Sequence, residues 1–87
     1  MNAHAEAWRA LETEVEVQIG DLERAFGDAA QALGRYAACV REPDDTLTVA
    51  RVAEYATRLA GIQARLAERR ELLARMRSTI EFAGKGS

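Results

Sequence analysis

The sequence predicts an all-α fold, an antiparallel two-helix coiled-coil hairpin, and three observations carry that reading. Apolar residues recur at alternating steps of three and four along both halves of the chain, the spacing of a coiled-coil seam. One cluster, Arg41-Glu42-Pro43-Asp44-Asp45-Thr46, interrupts the pattern between the halves. The first half is acidic and the second basic, so folding one onto the other brings opposite charges together.

The first helix is expected over residues 3–41. Ile19, Phe26, Leu33 and Val40 fall at heptad position a, and Trp8, Val15, Leu22, Ala29 and Tyr36 at d. Glu12 is the exception at a, with Leu11 beside it as apolar cover. Pro43 then stops the helix, because it lacks the amide proton of an interior position and biases Glu42 away from helical geometry. A turn over 42–45 follows. Asp44, Asp45 and Thr46 can each accept from the free amides of a new helix. A connection this short makes the helices antiparallel neighbours.

The second helix is expected over 46–82. Val52, Leu59, Leu66, Leu73 and Ile80 form its a ladder, while Tyr55, Ile62 and Met76 fill d with Arg69 as the polar intruder. The hairpin domain is thus 1–83, and Gly84-Lys85-Gly86-Ser87 reads as a flexible tail. The turn should set the Glu12-Glu14-Glu16 run near Arg75 and Arg77, which favours this register over a slipped one.

Composition bounds the function. The 87 residues allow one domain and one core, and their richness in Ala, Arg, Glu and Leu with few aromatics suits long helices. A formal charge of −2 disfavours nucleic acid as a partner, which would call for a net basic face. Cys39 is alone, so there is no intramolecular disulfide framework; at g beside Val40 it reads as a small core filler. No apolar run suffices to span a bilayer, and the N-terminus has neither the basic start nor the apolar segment of a cleavable export signal. The expected compartment is the cytoplasm, although an export route without such a signal would leave no mark of this kind.

A small-residue repeat flanks each seam. Helix one places Gly20, Gly27 and Gly34 at b in three consecutive heptads, and helix two answers with Ala53, Ala60, Ala67 and Ala74 at b. Ala30, Ala37 and Ala56 add small residues at the neighbouring e position. Each glycine costs about 0.5–1 kcal/mol relative to alanine inside a helix, so three at one position invite a packing explanation. One reading is tolerated drift on a solvent-facing side; the other is a contact strip where another helix comes close. A bare hairpin buries one stripe per helix, so completion to a helical bundle by dimerisation or a partner is expected. The second candidate surface is basic: Arg69 in the seam, with Arg65 and Arg70 beside it and Arg75 and Arg77 beyond. It reads as an internal cluster neutralised by helix one or as a dock for an acidic partner helix.

Chemistry finds little purchase. His4 is the only histidine and Cys39 the only cysteine, which leaves no transition-metal ligand set, and Glu12, Glu14 and Glu16 lack the Glu-x-x-His pairs of a di-iron bundle. Gly84-Lys85 follows no strand and no spaced glycine, so it is not a phosphate loop. The stretch Leu66-Ala67-Glu68-Arg69-Arg70-Glu71-Leu72-Leu73 superficially resembles the central helix of helical chorismate mutases. Helix one, however, has nothing matching their arginine and paired Ile-Asp units, and the only lysine is Lys85.

In size and hairpin architecture the chain resembles the small hairpin co-chaperones of bacterial type III secretion, which protect needle subunits. It is also similar in scale to the helical-hairpin proteins exported by specialised mycobacterial systems. Their Trp-x-Gly turn is replaced here by Glu42-Pro43-Asp44. Neither likeness rests on a diagnostic motif. The expected function is non-enzymatic: a helical-hairpin protein–protein interaction module serving as adaptor, small chaperone or assembly factor. The alternative is a self-assembling structural or regulatory coiled-coil dimer, with an RNA-binding hairpin behind it. The expected partner is a protein or a second copy, with no cofactor and no small-molecule substrate.

Overall fold

The computed structural model describes residues 2–85, and the side chains of residues 4–79. Helix α1 spans Asn2–Cys39 and helix α2 spans Thr46–Lys85; the two pack antiparallel, with no strand among the described residues. The hairpin is a rod of 66 × 16 × 13 Å.

The proline places the end of α1. A proline ring clashes with the carbonyl four residues earlier, which here belongs to Cys39. Helix α1 accordingly stops there, two residues before the expected end, and tightens at its last turn as Val40 N–H donates to the Ala37 carbonyl at 3.2 Å. Glu42-Pro43-Asp44-Asp45 then forms a β-turn, with Pro43 at its favoured second position and Asp45 N–H donating to the Glu42 carbonyl at 3.2 Å. Of the three possible N-caps, Asp45 takes the role: its Oδ1 accepts from Thr48 N–H at 3.2 Å. Helix α2 runs to Lys85, three residues beyond its expected end, and residues 86–87 of the expected tail lie outside the described residues.

The seam assigned from the heptads is the interface between the helices. Val15, Leu73 and Met76 form the buried cluster, with Ile19 packed against it, and Ala29 and Leu66 are also buried. Leu22, Leu33, Val40, Val52, Tyr55, Leu59 and Ile62 are half-buried. The side chain of Ile80 lies outside those described. Two helices cover a seam from opposite sides only, so its flanks stay open to water. That is why Trp8, Phe26 and Tyr36, all on the seam, keep over a third of their surface exposed. Near the turn, the Tyr36 and Tyr55 rings stack at 5.5 Å, and the Arg58 guanidinium lies 4.8 Å over Tyr55. Cys39 is exposed rather than a core filler, because it stands at g, on the flank of the seam that a second helix leaves open.

Candidate protein-docking surfaces

The heptad geometry gives the rod two sides. Around each helix, e and b continue outward from a, while g and c continue outward from d. In an antiparallel pair, e therefore meets e on one side and g meets g on the other.

The e side carries the ion pairs between the helices. Arg77 bridges one turn of α1, with Nε 3.0 Å from Glu12 Oε1 and its terminal nitrogen 2.7 Å from Glu16 Oε1. Arg70 reaches Glu23 Oε2 at 3.4 Å. Hydrogen bonds from Arg77 to Glu12 and then to Glu16 raise the pKa of its guanidinium further above the ordinary arginine value. The polar residue at a is thereby explained: Glu12 is partly covered and held by Arg77, while its expected cover, Leu11, is 46% exposed. Arg75 does not join the acidic run; it pairs with Glu71 within α2 at 2.6 Å.

A groove of about 450 Å³ lies on this side, where Phe26, Leu66 and Ala67 form the floor and the Glu23–Arg70 pair closes one end. The small-residue strip continues along it. Gly20 is half-buried, and Gly27, Gly34, Ala53, Ala60 and Ala67 are exposed. A Cβ built on Gly20, Gly27 or Gly34 would meet nothing within 4 Å. Close approach of α1 to α2 thus does not call for these glycines, and in the single chain the strip faces open space.

The g side is different. Near the open end of the hairpin a groove of about 350 Å³ is walled by Trp8, Leu11, Val15, Leu72 and Met76. Three polar side chains line it as well: Glu14, Gln18 and Arg69. Neither Glu14 nor Arg69 has an ion-pair partner among the described residues, and Gln18 Oε1 is shielded from water without a hydrogen-bond partner there. The expected basic cluster is therefore divided. Arg70 and Arg77 are committed to α1 on the e side, Arg69 faces the g-side groove half-buried, and Arg65 is exposed with no acidic partner among the described residues.

Sequence reasoning missed this groove, although its signal was present. The g column of α1 reads His4, Leu11, Gln18, Ala25, Ala32 and Cys39, without one carboxylate, lysine or arginine, and Leu72 stands at g in α2. An uncharged column beside a seam is a second apolar edge. Among the described residues, no group of three or more His, Cys, Asp or Glu side chains is placed to hold a metal ion, and no helix is long and apolar enough to cross a membrane. Both grooves are shallow, open and bordered by the ridges of two helices, a shape suited to side chains of another helix. Comparison with protein families, with curated proteins and with solved structures finds no match to this chain.

Proposed function

We propose that the chain is a non-enzymatic protein-interaction module that docks helix against helix, in the role of an adaptor, small chaperone or assembly factor. One observation carries the reading: the hairpin has more surface than a self-sufficient domain of its mass. Its accessible area is 6841 Å². A compact monomer of 9.6 kDa would expose roughly 5,100 Å². Part of the excess is apolar and lies along the seam edges, at Trp8, Leu11, Phe26 and Leu72. Exposed apolar area of this kind marks interaction surfaces.

The test is whether stability depends on association. Anything that binds only the folded hairpin raises its Tm by mass action, so melting should rise with protein concentration or with added partner. Thermal melts and sedimentation equilibrium over a hundredfold range of concentration, together with affinity capture from the native cell, make the measurement. A monomer of constant Tm that retains no protein would overturn the proposal.

A further inference from the structure

The g-side groove at the open end is its own complement. It combines an apolar floor with one carboxylate, Glu14, and one guanidinium, Arg69, both without ion-pair partners among the described residues. An all-acidic helix laid in this groove would meet Glu14, and an all-basic one would meet Arg69. A second copy turned by a two-fold axis through the groove meets neither conflict. An axis that crosses the midpoint between them, at right angles to the line joining them, exchanges the two positions, so that Glu14 of each chain falls over Arg69 of the other.

We propose that this groove is the interface of a symmetric homodimer, with Trp8, Leu11 and Leu72 packed across the axis and two Glu14–Arg69 ion pairs beside it. The proposal rests on the reading of the hairpin as an interaction module and names its partner. Over its whole length each chain carries roughly 1,700 Å² more surface than a compact monomer, while a standard interface removes about 800 Å² from each partner. Pairing two hairpins along this side also yields four helices around a shared core, which a lone hairpin lacks.

The test exploits the symmetry. Glu14→Arg alone sets arginine against arginine across the axis, and Arg69→Glu alone sets glutamate against glutamate. Each should weaken self-association about tenfold or more in sedimentation equilibrium. An equimolar mixture of the two variants restores both pairs in a heterodimer, and its affinity should return to near that of the parent chain. Glu14 is exposed, so Glu14→Arg keeps the hairpin, and circular dichroism verifies that both variants are folded. Trp8, the only tryptophan, reports the location directly: its emission should shift to the blue as concentration rises, and should not do so in Glu14→Arg alone.

Several results would overturn the dimer. A parent chain that stays monomeric with unchanged Trp8 emission is one, and single variants that associate like the parent or fail to rescue each other are another. Association lost in Gly27→Leu yet intact in Glu14→Arg would refute this interface while sustaining the interaction module through its e side. A monomeric chain that captures a different protein would refute the second copy alone. A monomer that captures nothing would refute both proposals.

Discussion

Leu66 and Phe26 occupy the same heptad position on opposite helices, yet they should respond differently to truncation. Leu66 is 7% exposed, so Leu66→Ala should cost about 2–5 kcal/mol, the range for large-to-small changes in a core. Phe26 keeps 36% of its surface in water, and Phe26→Ala should cost less, about 1–2 kcal/mol in proportion to the area it hides. Chemical denaturation of the two variants checks the order; a larger loss at Phe26 would mean that another molecule covers it. Asp45→Ala removes the carboxylate that accepts from Thr48 N–H and should cost about 1 kcal/mol, read from the same curves. The Arg77 clamp has a definite pH signature. Its folded pKa lies above the unfolded one, so its stabilisation is complete below the ordinary arginine value and fades only as pH climbs through the raised one. Arg77→Gln should therefore lower Tm by the same amount at neutral and at mildly alkaline pH, and by less in high salt, which screens exposed pairs.

Along each helix the glycine strip offers a test with two signs. Because a Cβ at Gly27 meets nothing within 4 Å, Gly27→Ala should raise the stability of the isolated hairpin by about 0.5–1 kcal/mol, visible as a higher Tm. Gly27→Leu should likewise preserve the single hairpin, but it would weaken association if another helix lies on the strip. The helices themselves were readable from the sequence because period and breaker agree: the a and d residues named above whose side chains are described are buried or half-buried except Trp8, Phe26 and Tyr36, and Pro43 fixes where α1 stops. Exposure at those three was not readable, since a heptad assigns a stripe and says nothing of how many helices will cover it. The arginine cluster misled for a related reason. Arg69 and Arg70 are adjacent in sequence, but about 100° of helix rotation separates them and sends one to each side of the rod. The groove beside Leu11 and Leu72 went unread because its signal is a column of missing charges spread over five heptads.

As a whole the rod is held by a single seam whose best-packed part lies far from the turn. The Tyr36–Tyr55 stack sits close to Pro43, whereas Val15, Leu73 and Met76 gather toward the open end, where Arg77 reaches Glu12 across 65 residues of chain. Contacts near the turn close short loops and those at the open end close long ones, at an entropic cost that grows with loop length. The order of assembly follows: the chain should zip from Pro43 outward, forming its strongest packing last. In stopped-flow measurements Leu73→Ala should then mainly accelerate unfolding, and Leu59→Ala, closer to the turn, should slow folding. Slowed folding in Leu73→Ala would place the nucleus at the open end instead. Zippering in this direction also makes the open end the first part to come apart, so the grip of Arg77 on Glu12 and Glu16 acts as a latch that sets the lifetime of the native state more than the speed of reaching it.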